Sequence, residues 1–167
     1  IIAVKGEKNT EDDDYYVKYV GAGSVGHWEE IVGPGVPTLL DEATMPHRLV
    51  NTGYRTFDYL TDAWSSRIAG DEATAKDPSF IGKLPRDILW DHGRLAIMLP
   101  NGCVWSKSEN PYTVFPDTVQ TVLDTDRVDI RLVAGRGKSG GTSDRDFAVQ
   151  IDAETFMWSQ AQQFRVA

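Results

Sequence analysis

The chain has 167 residues, of which 41% are hydrophobic and 25% charged, and its formal net charge is −8. That length bounds one domain or two small ones with a real hydrophobic core, and no apolar run approaches the ~20 residues that span a bilayer. The acidic balance argues against a dedicated nucleic-acid binder, which carries a basic stripe; the single cysteine, Cys103, excludes an intrachain disulfide and a thiolate-cluster metal site.

Taken from its start, Ile1-Ile2-Ala3-Val4-Lys5-Gly6 has no initiator Met, basic n-region or cleavage site. It does not read as a signal peptide, and an internal stretch of a longer product is expected. Asp14–Val20 is rich in aromatic and β-branched residues, Gly21–Gly26 is glycine-rich, and His27–Val32 is again strand-like. Two such runs around a glycine-rich loop predict a hairpin. Gly33-Pro34-Gly35-Val36-Pro37 breaks the chain. Thr44–Val50 is expected as a third strand, which Pro46 would confine to an edge or a bulge.

Residues 55–68 are ambiguous. Phe57, Leu60, Trp64 and Ile68 fall at helical spacing while Phe57 and Tyr59 alternate; a short strand followed by an irregular turn is expected. Gly70–Ser79 is polar loop. Between 86 and 107, Ile88-Leu89-Trp90, Arg94–Leu99 and Cys103–Ser106 are separated by turns at Asp91-His92-Gly93 and Pro100-Asn101-Gly102. Asn-Gly between apolar runs is a strong hairpin signal, so a three-stranded meander is predicted. Val128–Val133 alternates as another strand, residues 135–146 read as a long glycine- and serine-rich loop, and Ala148–Ile151, Thr155–Trp158 and Gln163–Val166 as short strands. The expected fold is mainly β: small antiparallel sheets and hairpins with long loops and little helix.

Charge divides the chain. Residues 1–126 hold 11 Lys and Arg against 20 Asp and Glu, a net of −9; residues 127–167 hold 6 against 5, a net of +1. The organisation expected is an acidic β-rich segment over 1–126 and strands around a glycine-rich loop over 127–167.

No catalytic, cofactor or metal constellation stands out. Leu132–Ser139 ends like a phosphate-binding loop, but Leu132 stands where the first glycine is required, and Gly140-Gly141-Thr142 is a poor helix start. His27, His47 and His92 form no paired ligand spacing. Cys103, in an apolar strand beside the Asn-Gly turn, reads as a core residue. The acidic pairs Glu29-Glu30, Asp41-Glu42 and Asp71-Glu72 suit a solvated surface better than the two carboxylates of a glycosidase. Trp28, Trp64, Trp90, Trp105 and Trp158 divide between core packing and a protein interface.

Several segments resemble one family in order and spacing. They are Glu11–Tyr19 with Tyr16, then Gly26–Glu30 with Trp28; Asp41–Val50 with Met45-Pro46-His47; Trp64-Ser65-Ser66-Arg67, Gly70-Asp71 and Pro78-Ser79-Phe80; Gly93-Arg94-Leu95 and Ser106-Lys107-Ser108; and Thr155–Ser159 with Trp158. This series is similar to the tail tubular B, or nozzle, proteins of T7-like podoviruses. The resemblance implies a structural, non-enzymatic virion protein, assembled in the host cytoplasm, without cofactor or membrane segment. It implies a homo-oligomer, a hexameric ring below a tail adaptor ring (tail tubular protein A), which conducts DNA without binding it specifically and helps to dock tail fibres. It also implies structural or interface roles for the motif residues just named. The alternative from composition is a phage-tail polysaccharide-binding or polysaccharide-degrading module, suggested by acidic loops and abundant aromatics.

Overall fold

The structure, a computed structural model, describes residues 1–6, 13–131, 147–151, 154–158 and 163–166, the last three ranges by backbone alone. The described chain is a set of small antiparallel sheets, as its alternating apolar pattern requires, with one short 3-10 turn. Two compact units form. The first comprises Ile1–Asp77 and Phe115–Asp126, the second Pro78–Val114 and Arg127–Ala167.

In the first unit, β1 (Ile2–Val4), β2 (Tyr15–Ala22) and β3 (Val25–Ile31) make a three-stranded sheet in that order. The β2–β3 hairpin is longer than the sequence suggests. Both strands run into the glycine-rich stretch, where Gly21 pairs with Gly26 and Ala22 with Val25, leaving Gly23-Ser24 as the turn. Glycine does not prevent pairing where a neighbouring backbone must come close, and a Cβ on Gly21 would lie 2.3 Å from the Val25 carbonyl oxygen.

The strand expected over Thr44–Val50 is displaced. Glu42–Thr44 is instead a 3-10 turn, capped by the Asp41 carboxylate, which accepts from the Ala43 N–H. Pro46 supplies no N–H and drives Met45 to an extended conformation (φ −88°, ψ 161°). Pairing therefore begins only at Arg48. β4 (Arg48–Gly53) and β5 (Thr56–Leu60) form a two-stranded hairpin with a register shift between Asn51 and Gly53. After Leu60 the chain runs irregularly to Asp77, the expected short strand and irregular turn.

The second unit holds the predicted meander. β6 (Asp87–Asp91), β7 (Arg94–Leu99) and β8 (Gly102–Trp105) pair in sequence, and β9 (Val128–Arg131) adds beyond β8. His92 (φ 47°) and Gly93 (φ 75°) both take the left-handed backbone that a two-residue hairpin turn needs. Alternation puts Leu89, Ala96, Met98, Cys103 and Trp105 on one face, where they make a core with Cys103 fully buried. β10 (Phe147–Ile151), β11 (Glu154–Trp158) and β12 (Gln163–Val166) form a second meander, matching the strands expected at the end of the chain. Leu132, Val133 and the glycine-rich stretch 135–146 lie outside the described residues.

Candidate protein-interaction surface

The first unit is organised by a buried cation. Arg67 is 2% exposed. Its Nη1 donates to the Pro37 carbonyl (2.8 Å), its Nη2 to Asp77 Oδ1 (2.6 Å), and its guanidinium lies over the Phe115 ring (4.7 Å to the centroid). Its backbone N–H donates to the Thr38 carbonyl (2.7 Å). One side chain therefore ties together the 37–38 stretch, the 64–77 stretch and the segment that returns at Phe115. A planar fork of donors does this where an ammonium could not. Trp64 and Met45 are buried in the same unit.

Three residues further on, Gly70 carries φ 71°, and its carbonyl accepts from the Gly33 N–H (2.8 Å). Asp71 closes the turn. Its carboxylate accepts from the N–H of Ala73 (2.9 Å), the N–H of Thr74 (3.1 Å) and the Thr74 hydroxyl (3.1 Å). Burial opposes the charge more than any single contact favours it. Together the Thr74 and Ala73 amides and the Thr74 and Tyr16 hydroxyls outweigh burial and hold the carboxyl below its ordinary value. Segment 115–126 is fastened by Glu30, whose carboxylate accepts from the Thr118 hydroxyl (2.6 Å), the Val119 N–H (2.9 Å) and Gln120 Nε2 (3.0 Å).

In the second unit, Pro78 is fully buried and Phe80 is 4% exposed. Ser79 between them docks on β9 through Asp129, donating its N–H (2.8 Å) and its hydroxyl (2.6 Å) to the two carboxylate oxygens. Arg94 Nη1 donates to the Ser106 carbonyl (2.8 Å), and the Ser106 hydroxyl accepts from the Leu95 N–H (2.9 Å). At the β6–β7 turn the buried Asp91 carboxylate accepts from Trp105 Nε1 (2.7 Å) and lies 2.5 Å from His92 Nδ1.

What these frames leave outside is unusually apolar. Every residue of 51–60 is exposed. In the β4–β5 register Leu49 opposes Tyr59 and Asn51 opposes Phe57, so these four share one face. Leu49, Phe57 and Tyr59 are 64%, 54% and 70% exposed, and Tyr54 at the tip 87%. The His47 ring stacks on Tyr59 (4.8 Å, 12° between planes), and the Arg55 guanidinium lies 5.1 Å from the Tyr54 ring centroid. Trp28 on β3 is also exposed, edge-on to Tyr19 (5.4 Å), as are Ile88 and Trp90 on β6. The aromatic side chains that the β4–β5 hairpin holds in water have the composition of a protein-binding surface.

The motif residues thus separate. Tyr16, Arg67, Gly70 and Asp71 converge within the first unit, with Met45 and Trp64 buried there; Pro78, Phe80 and Arg94 belong to the second. Pro46 and His47 lead into the exposed hairpin, Trp28 is at the surface, and Trp158 pairs with Phe147 and Gln163 through its backbone. The tryptophans divide: Trp64 and Trp105 are buried, Trp28 and Trp90 exposed. His27 contacts Glu29 (2.7 Å), His47 stacks on Tyr59 and His92 faces Asp91. Among the described residues no group of three or more His, Cys, Asp or Glu could hold a metal ion, and no helix is long and apolar enough to cross a membrane. The phosphate-loop-like Leu132–Ser139 lies outside the described residues. Sequence reasoning missed the aromatic face of the hairpin because it left Leu49, Tyr54 and Tyr59 in separate elements; the alternation on either side of Gly53-Tyr54-Arg55 was the available signal.

The model of the bacteriophage nozzle protein family matches residues 1–167. The chain is also similar to tail tubular protein gp12 of Escherichia phage T7, with 26% identity over 164 residues, covering 98% of this chain and 20% of that protein. It spans about a fifth of the length of the curated relative it matches.

Proposed function

The chain belongs to the bacteriophage nozzle protein family, and from that premise we propose that it is a structural building block of a phage tail, working by assembly and not by catalysis. The observation that carries this reading is the match of the family along the whole chain. The architecture supports it. Small sheets fixed internally by polar ties such as the buried Arg67 and the half-buried Asp71 give rigid modules, and exposed aromatics give those modules something to bind with. The product that contains this chain assembles as a homo-oligomeric ring, six-fold by its resemblance to T7-like nozzles. It meets a tail adaptor ring and tail fibres, and its place is the virion tail, after assembly in the host cytoplasm. DNA passes it without specific binding. A net charge of −8 favours passage, since each phosphate neutralised by Lys or Arg would add to sticking.

Immunogold labelling of purified virions with an antibody to this chain tests the reading. Label at the tail, in a copy number divisible by six by quantitative mass spectrometry, is the expected result. Virions that lack the chain would overturn it.

A further inference from the structure

We infer that the chain is laced through its two units so that a break between Lys83 and Leu84 leaves the two pieces associated. The path of the chain carries the inference. It passes from the first unit to the second at 77/78, returns at 114/115 and passes over again at 126/127. Divided at 83/84, the first piece keeps β1–β5 and also residues 78–83, which belong to the second unit. The second piece keeps β6–β12 and also residues 115–126, which belong to the first. Each piece therefore supplies a segment to the unit that the other piece builds.

Both exchanged segments are docked by buried side chains and by bonds to a carboxylate of the other piece. Within the second unit, Pro78 is fully buried and Phe80 nearly so, and Ser79 donates its N–H and its hydroxyl to Asp129 on β9. Within the first unit, Phe115 is buried against the Arg67 guanidinium, and Glu30 accepts from Thr118, Val119 and Gln120. Hydrogen bonds to an ionised acceptor are the stronger kind. Two docks on one pair of pieces act as a bivalent contact, each holding the other at high effective concentration. The break point itself is undemanding. Every residue of 82–86 is exposed and outside the strands, with Leu84 at 87%. The Lys83 N–H donates to the Phe80 carbonyl (3.0 Å) and the Arg86 N–H to the Met98 carbonyl (2.9 Å), so each of these bonds stays within one piece. A loop whose packing and backbone bonds survive the cut is where a chain tolerates one.

The test divides the gene of the complete product. One polypeptide ends at Lys83 and the other begins at Leu84; the two are co-expressed with an affinity tag on the first, and the second is quantified in the eluate after dilution. A comparison pair is divided at 77/78, so that residues 78–83 stay with the second piece and only segment 115–126 is exchanged. The expected result is co-purification of the 83/84 pair, with the 77/78 pair retained about tenfold less, the scale of losing the bonds to one carboxylate. Failure of the 83/84 pieces to associate, recovery as insoluble material included, overturns the inference. So does equal or greater retention of the 77/78 pair, which would mean that the dock of 78–83 contributes nothing and that other parts of the product hold the pieces together.

Discussion

The guanidinium carbon of Arg67 lies over the ring of Phe115, 4.7 Å from its centroid, across 48 residues of sequence (115 − 67). Phe115 opens the segment that returns to the first unit after the chain has built β6–β8. The contact is therefore a clasp between the two parts of that unit. Arg67→Met should destabilise the protein by at least about 2 kcal/mol, through the lost charge-assisted bonds and the cation–π contact. Asp77→Asn should cost less than about 1 kcal/mol, because Asp77 is 62% exposed and water screens its half of the pair. Urea midpoints of the two variants check this; equal losses would show that the ion pair dominates.

The Gly70 backbone sits at φ 71°, and a Cβ there would lie 2.6 Å from Val119 Cγ1 and 2.7 Å from the Thr74 hydroxyl. Gly35 has φ 79° but nothing within 4 Å. Gly35→Ala should cost about 1 kcal/mol, the left-handed penalty alone. Gly70→Ala adds a clash in a buried turn and should cost at least twice as much. The difference between their thermal midpoints reads the steric part.

Glu30 holds residues 118–120 by three bonds from a strand nearly ninety positions earlier (|i−j| of 88 to 90). Glu30→Ala should leave β2–β3 paired and release the segment. Limited proteolysis between 117 and 124 should quicken about tenfold, since cleavage follows the open population. Unchanged cleavage would mean that Phe115 and Arg67 hold the segment by themselves.

Acid should loosen the first unit. The Asp71 carboxyl binds its proton more weakly folded than unfolded, and so does Asp14, whose carboxylate takes the Lys5 ammonium and the Gly6 N–H. The unfolded chain then binds more protons as pH falls. The stabilisation is complete above the ordinary value of 3.8 and is lost as pH drops through the lower folded values. Asp71→Ala should lower stability at neutral pH and flatten the acid limb below pH 4. Circular dichroism melts from pH 7 to 2 would show it, and an unaltered slope would remove Asp71 from the account.

Local pattern made much of this molecule legible. Asn101-Gly102 and His92-Gly93 between apolar runs dictate the β6–β7–β8 meander, and period-two alternation places Cys103 in its core, because strand pairing between neighbours in sequence depends on turn chemistry and side-chain facing alone. The family resemblance was legible too, as a series of residues: Tyr16, Trp64, Arg67, Gly70, Asp71, Pro78, Phe80. Their physical work was not. That Tyr16 donates to Asp71, that Ser79 docks on Asp129 fifty residues away, and that Glu30 fastens 118–120 follow from long-range closure, which leaves no periodic mark in the chain. The division of the tryptophans and the exposure of the β4–β5 face were likewise decided by tertiary structure. A strand's alternation fixes which side chains share a face, but only the packing of the other segments decides whether that face is covered or left to water.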